Sequence, residues 1–307
     1  ALRPVLVSFM FWQTTRYSID LTRPRVMGIV NVTPDSFSDG GQHADLSAAL
    51  NHCERLLRDG AHMLDIGGES TRPGASPVSL EEELTRVVPL VREAVKLGVP
   101  VSVDTFKPSV MQAVLDLGAD VINDIRALGQ PGALEVVSGH PSCGLCLMHM
   151  HRDPLTMQVL PMQGDVVPSV RAFLSLAAAR ATSAGVVRER IVLDPGIGFG
   201  KTVAQNFSLL ARQAELLAEG YPLLVGWSRK SSLGAVTASQ GVAPEAASRL
   251  PASVAAAVLA VDRGAAVVRV HDVRETVQAL AIWGAMREQE ATEIHLSIAK
   301  KDQETLG

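Results

Sequence analysis

The chain has 307 residues, of which 47% are hydrophobic, 20% charged and 4% aromatic. That apolar fraction supplies a sizeable core and excludes a disordered chain, while the length admits one large domain or two ordinary ones. With a formal net charge of −4, no basic cluster and so few aromatic rings, a nucleic-acid partner is not expected.

The opening stretch 5–12 is apolar but lacks a small-residue cleavage site, which argues against a signal peptide. Ala1 and Met10 both stay open as the native start. No uninterrupted apolar run reaches the ~18 residues of a membrane span, so no membrane partner is expected. Cys53, Cys143 and Cys146 are too few for a disulfide framework and fit a reducing, cytoplasmic setting. Cys143 and Cys146 have redox spacing. They lead into an apolar strand, though, not a helix N-terminus that would lower a thiol pKa, and so read as ordinary buried cysteines.

From residue 26 onward, short apolar runs alternate with longer helical patterns. Strands are expected at 26–31, 62–67, 99–104, 121–124, 144–150, 191–194, 223–228 and 266–271. Most are too continuously apolar to be one-sided, as in parallel strands covered on both faces. Between them, 46–57 places Leu46, Leu50, Cys53 and Leu57 at helical spacing, and Ser79 with Glu82 forms a capping-box pattern opening a second helix. Further helices are expected at 108–117, 168–184, 205–219, 246–263 and 273–288. Eight such units at about 34 residues each predict an α/β fold, a single-domain (β/α)₈ TIM barrel. A doubly wound sheet is the alternative. The expected organisation is a short N-terminal extension over 1–16, the barrel over 17–288 and a C-terminal tail over 289–307.

The strands share a tendency to end in polar residues. In chain order these are Asn31; Asp65, followed by Glu69, Thr71 and Arg72; Asp104; Asn123 and Asp124; His149 and His151; Asp194; Ser228, Arg229 and Lys230; and Arg269 and His271. One Asp or Asn at a strand end is an ordinary turn residue. All eight strands ending so, on the face where barrels carry their active sites, is better explained by a binding face. The groups divide by charge. Arg72, Arg269 and His271 suit a phosphate-like anion. Asp104, Asn123, Asp194 and Lys230 form a donor–acceptor set for a flat heterocycle. Asp65, Asp124 and Glu69 read more plainly as anchors for Arg72 or other bases.

Two patterns mislead. Gly196 through Thr202 follows a strand like a phosphate-binding P-loop, but the position five before Gly200 is Pro195, so the loop does not match. His149 and His151, with Asp153, resemble metal ligands, yet only His271 lies on another strand end, too few for a dinuclear site.

Longer segments are more specific. Met27-Gly-Ile-Val-Asn31-Val-Thr-Pro-Asp-Ser-Phe-Ser-Asp-Gly-Gly41 and Asp65-Ile-Gly-Gly-Glu-Ser-Thr-Arg-Pro-Gly74 resemble the signatures of the dihydropteroate synthase family. Ser102-Val-Asp-Thr105, Ile122-Asn-Asp-Ile125, Leu193-Asp-Pro-Gly196 through Lys201, Ser228-Arg-Lys-Ser231 and Arg269-Val-His-Asp-Val273 match in order, so the resemblance runs from about 17 to 288.

The resemblance implies a magnesium-dependent transferase of folate synthesis, usually a homodimer and the class of enzyme that sulfonamides target. Such enzymes join 4-aminobenzoate to 6-hydroxymethyl-7,8-dihydropterin diphosphate and release diphosphate. Carried over by motif, Asp104, Asn123, Met148, Asp194 and Lys230 hold the pterin. Asn31, Arg72, Arg269 and His271 take the diphosphate, with Asn31 also toward the metal. Thr71, Pro73, Gly198, Phe199, Lys230 and Ser231 surround the aminobenzoate. The residues implied in catalysis are Asp104, Lys230, Asp194, Arg269 and His271.

The chain departs from the family pattern at His151-Arg152, where Gln-Gly is common, and at Phe106, which replaces a small polar residue. The segments 33–41 and 69–77, rich in Gly, Ser and Pro, are candidate loops to close over substrates. Two rival readings remain. A pterin-binding methyltransferase domain would not need Ser228-Arg-Lys-Ser231 or Arg269-Val-His271. A catalytically silent paralogue should have lost one of the charged groups.

Overall fold

The computed structural model describes residues 11–32, 41–69, 77–152, 157 and 159–305, and, of 41–44 and 294–305, the backbone alone. Eight parallel strands close into a barrel: β3 (Arg25–Asn31), β4 (Met63–Gly67), β5 (Val101–Asp104), β6 (Val121–Asp124), β7 (Gly144–Met148), β8 (Ile191–Asp194), β9 (Leu223–Val225) and β10 (Ala265–Val270). β10 pairs with both β9 and β3, which closes the circle and decides for the TIM barrel over a doubly wound sheet.

The surrounding helices are α1 (Gly41–Arg58), α2 (Leu80–Ala94), α3 (Pro108–Asp116), α4 (Ala133–Gly139), α5 (Val166–Ser183), α6 (Val203–Ala211), α7 (Gln213–Leu217), α8 (Ser231–Val236), α9 (Leu250–Asp262) and α10 (Val273–Thr305). Among the described residues, no helix is long and apolar enough to cross a membrane.

Alternation along the strands sets what faces where. Val30, Leu64, Ile66, Val103, Ile122, Leu145, Leu147 and Leu193 point outward into a continuous core with the helices. Met27, Met63, Val121, Cys146, Val192, Leu224 and Val267 point inward and fill the lower pore. Two residues further along β4, β6, β7, β8 and β10, the same inward register carries Asp65, Asn123, Met148, Asp194 and Arg269. Asp104 joins them by pairing with Asn123 on one side and Gly67 on the other. These residues are therefore one layer of the pore. All three cysteines are buried and free, as their composition suggested.

Several expected boundaries shift. Residues 223–228 were expected to be one strand, but β9 stops at Val225 and pairs with β8 through Leu223 alone, so 226–230 turns across the barrel mouth. The helix expected over 205–219 breaks at Arg212 into α6 and α7, and α4 and α8 are additional. Ser79 accepts from Glu82 N at 3.1 Å and caps α2, but the Glu82 carboxylate turns to Arg86, so only half of the capping box forms. The expected tail at 289 lies inside α10.

The largest difference is at the start. The boundary expected between 16 and 17 cuts an antiparallel hairpin, β1 (Phe11–Gln13) with β2 (Ser18–Asp20). The short alternation Phe11-Trp12-Gln13 was too brief to register as a strand. Trp12 is fully buried, packs with Ile19 against the inward residues of the lower pore, and donates from Nε1 to Arg190 O at 2.9 Å. Arg16 pairs with Asp120 at 2.5 Å, and Thr15 Oγ1 donates to Ala119 O at 2.7 Å, which fixes the hairpin to the strand N-termini. The hairpin is thus the barrel's floor. Trp12→Ala should lower unfolding free energy by about 3–5 kcal/mol in urea titration, the range for emptying a buried aromatic site. A loss under about 1 kcal/mol would contradict the sealing role.

Candidate active site

The inward polar layer is organised around Arg269. Its Nε donates to Asp65 Oδ2 at 2.6 Å and its Nη2 to Asp104 Oδ2 at 3.0 Å. Asp65 Oδ2 also accepts from Asn123 Nδ2 at 3.1 Å, so β4, β5, β6 and β10 are joined across the pore. Burial works against the guanidinium charge, but Asp65 and Asp104 outweigh it and hold Arg269 above its ordinary value. For Asp104, burial dominates and raises the carboxyl despite the pull of Arg269. Among the described residues, Asp65 Oδ1 is buried with no hydrogen-bond partner.

Opposite them stand Asp194 and Lys230. Asp194 Oδ1 accepts from Gly196 N at 2.7 Å, a turn bond fixing the first residue of the 195–202 loop. Burial pushes this carboxyl up to about 6, against that bond and the pull of Lys230. Lys230 is pushed down to about 8, first by burial and then by Arg269, with Asp194 and Asp104 pulling it back. Its Nζ lies 4.1 Å from the Phe199 ring centroid.

Phe199 and Met148 share an apolar wall with Ile125 and Met157. Phe106, one of the departures from the family pattern, packs against that wall. Its ring is 4.5 Å from the Arg126 guanidinium carbon.

The 195–202 loop is held from within. Gly196 has φ +66°, and a Cβ there would lie 1.9 Å from His149 O, so no other residue fits. Lys201 Nζ donates to Gly196 O at 2.8 Å, Phe199 O at 3.1 Å and His149 O at 3.4 Å. Burial pushes this ammonium down to about 7. Gly198 N donates to Asn206 Oδ1 at 2.9 Å. The Walker-like pattern is therefore a loop that presents Phe199 and Gly198 to the mouth.

At the other side of the mouth, Ser228 Oγ and His271 Nδ1 are 2.9 Å apart, and Arg229 pairs with Asp272 at 2.6 Å. Asn31 ends β3 half-buried, and Ser231 opens α8. His271 also lines a cavity of about 370 Å³ with His52, Arg55, Arg229 and Arg274, whose charges are interspersed with Asp59, Asp272 and Glu275.

Of the residues expected in the site, Asp104, Asn123, Met148, Asp194, Gly198, Phe199, Lys230, Ser231, Arg269, His271 and Asn31 all lie at the C-terminal end of the strands. Thr71, Arg72 and Pro73, with most of 33–41 and 69–77, lie outside the described residues. Arg269, which with Arg72 and His271 suits a phosphate-like anion, also reaches the carboxylate layer, where Asp65 and Asp104 hold it. Asp65, read as an anchor for Arg72 or another base, anchors Arg269. Asp124 faces outward and accepts from Arg126 N and Leu128 N, and His149 packs edge-on against Phe173 outside the pore. Lys201 and Ser228 received no role from sequence. For Ser228 an inward signal existed in its spacing from Leu224, whereas nothing in the pattern reveals three carbonyls converging on Lys201.

The pterin-binding enzyme family model matches residues 27–271. A dihydropteroate synthase of Neisseria meningitidis serogroup C is 50% identical over 278 residues, covering 90% of this chain and 97% of the relative.

The chain belongs to the dihydropteroate synthase family.

Solved structures of that family agree. The Burkholderia cenocepacia dihydropteroate synthase complexed with 7,8-dihydropteroate has 49% identity and a TM-score of 0.83, covering 92% of this chain and 98% of that one. The Xanthomonas albilineans dihydropteroate synthase with 4-aminobenzoic acid has 47% identity and a TM-score of 0.84, covering 90% and 98%.

The polar layer rests on Asp65, which holds both Arg269 and Asn123. Asp65→Asn keeps the shape but leaves a buried guanidinium with one carboxylate. It should cost about 3 kcal/mol of stability in urea unfolding, the lower range for breaking a buried pair. Stability unchanged within about 0.5 kcal/mol would mean Asp104 alone suffices.

Proposed function

We propose that the chain is a transferase of folate synthesis that condenses 4-aminobenzoate with 6-hydroxymethyl-7,8-dihydropterin diphosphate to give 7,8-dihydropteroate and diphosphate. The observation that carries this reading is the inward layer in which the buried Asp104, Asn123 and Asp194 stand with the half-buried Arg269 and Lys230. A pterin edge carries adjacent N–H donors and a carbonyl, which that layer complements. Asp65 Oδ1, a buried acceptor with no partner among the described residues, adds a place for a ligand donor. The family's members bound to 7,8-dihydropteroate and to 4-aminobenzoic acid support the same substrates.

In this reading Asp194 and Asn123 hold the ring, Met148 packs on its face, and Lys230 donates to its carbonyl. Nε and Nη2 of Arg269 are spent on Asp65 and Asp104, so Nη1 remains to donate to the departing diphosphate with His271, Asn31 and Arg72. Asp104, a carboxylate in the dry pore, stabilises the positive charge that grows on the pterin methylene as the bond to oxygen breaks. The amine of 4-aminobenzoate attacks that carbon and loses its proton. No covalent enzyme intermediate is required, because the arylamine is neutral and nucleophilic. Gly198, Phe199 and Ser231, with Thr71 and Pro73, line the aminobenzoate side, the position where a sulfonamide competes.

The donor set fits magnesium arriving with the substrate. Asn31 offers a hard amide oxygen at the diphosphate side, and among the described residues no three His, Cys, Asp or Glu form a cage of their own. When bound there, magnesium supplies neutralisation of the leaving group's charge. The cytoplasm as location and a homodimer as assembly belong to the same proposal, since free buried cysteines suit the first and the family resemblance implies the second. Ser228-Arg-Lys-Ser231 and His271 at the mouth favour the synthase over a methyltransferase.

The test is purified protein with magnesium, the pterin diphosphate and labelled 4-aminobenzoate. Labelled dihydropteroate should form, and none under conditions where a known synthase works overturns the reading. Asp104→Asn should reduce kcat by about 100-fold or more while moving diphosphate affinity by less than about threefold. An unchanged kcat removes the charge-stabilising role.

The pH profile has a definite sign. Burial pushes Asp104 up to about 7 and Asp194 up to about 6, and both must be ionised, so kcat/KM falls as pH drops through that range. Lys230 titrates near 8 and must be charged, so kcat/KM falls as pH rises through it. The expected profile is a bell whose alkaline limb moves upward in Lys230→Arg. A limb unmoved in that variant assigns it to another group.

A further inference from the structure

We infer that Ser228 is a positioning residue that holds His271 as its neutral Nε2–H tautomer, so that the ring meets the substrate's diphosphate as a hydrogen-bond donor. The diphosphate part rests on the function proposed above.

Two bonds define the arrangement. The backbone N–H of His271 donates to Ser228 Oγ at 3.1 Å, and Ser228 Oγ lies 2.9 Å from His271 Nδ1. The first makes the serine oxygen an acceptor, which leaves its hydroxyl hydrogen to be placed. Ser228 is 7% exposed, so a stranded hydroxyl hydrogen would be costly. Among the described residues, Nδ1 is the acceptor within reach of that hydroxyl. Nδ1 must then be unprotonated, and a neutral imidazole with an unprotonated Nδ1 carries its hydrogen on Nε2. The reverse assignment would ask Ser228 Oγ to accept twice and would leave its hydrogen buried without a partner.

A second link keeps the serine in register. Arg229 has φ +59°, a left-handed conformation that a side-chain-bearing residue adopts only when its surroundings impose it. The constraints are visible: Arg229 N donates to Ser253 Oγ at 2.9 Å, and the Arg229 guanidinium grips Asp272 through Nη2 at 2.6 Å and Nε at 3.2 Å. Arg249 Nη1 donates to Arg229 O at 3.0 Å. Adjacent residues of the 226–230 turn, Ser228 and Arg229, are thus tied to adjacent residues after β10, His271 and Asp272. The ion pair carries the strain of the turn, and the serine sets the ring. The same turn delivers Lys230 to the pterin side, so one short segment orients groups for both ends of one substrate.

The direct test reads the ring nitrogens by NMR in protein labelled with ¹⁵N-histidine, with His271→Gln used to assign the signals. The wild type should show a protonated Nε2 and an unprotonated Nδ1. Ser228→Ala should give a mixture of tautomers, and Ser228→Thr, which keeps the hydroxyl, should restore the single form. In parallel, Ser228→Ala should weaken binding of inorganic diphosphate by about tenfold, the value of one hydrogen bond to a charged group. KM for the pterin diphosphate should rise alike, while KM for 4-aminobenzoate changes by less than about twofold.

A protonated Nδ1 in the wild type overturns the inference without any variant, as does an unchanged ring pattern in Ser228→Ala. If neither protein binds diphosphate while the Nε2–H tautomer stands, the diphosphate role is overturned together with the proposed function. The ring signals distinguish that result from a failed tautomer assignment.

Discussion

A guanidinium shared between two buried carboxylates is the constraint around which this barrel is arranged. A charged group in a dry pore is tolerable only with opposite charge in contact and its hydrogen bonds met. Arg269 meets that condition by reaching from β10 to Asp65 on β4 and Asp104 on β5. Once it is fixed, Asn123 has its partner in Asp65, and the strands from β10 to β6 can carry polar side chains where the layer below is wholly apolar. Changing one of its members therefore alters the cost of burying the others. Each lends another the charge or donor that makes its own burial possible.

The layer also sorts its members by titration. The Asp104 and Asp194 carboxyls are pushed up and Lys230 is pushed down, so these groups approach one another across the neutral range. Their environment is set by depth in the pore and by the count of opposite charges, which is why neighbours of the same type can differ. Such convergence characterises sites where a ligand, not the protein alone, completes the charge balance.

Much of this was legible in the chain. The strand spacing predicted eight units, and the repeated polar ends predicted a common face, because a parallel barrel converts sequence period into a ring. The motifs then identified the family. What sequence could not supply was pairing between strands. The charge of Arg269 is visible in the sequence and suits an anion, but its carboxylate partners, more than 160 positions away, are not. Asp65 was underrated for the same reason. Lys201 sits among backbone carbonyls, which have no signature in a sequence. The hairpin at Phe11–Asp20 was missed because its strands are three residues each, below the length at which alternation can be distinguished from chance.

That hairpin has a kinetic consequence. With Trp12 and Ile19 closing the far end, the pore is a blind well, not a channel. A molecule seated in the polar layer can enter and leave only past whatever occupies the rim. On the proposed chemistry, the pterin diphosphate, the arylamine, the released diphosphate and the joined product all share that rim. A tryptophan at the floor thus decides the route through a mouth that it never touches.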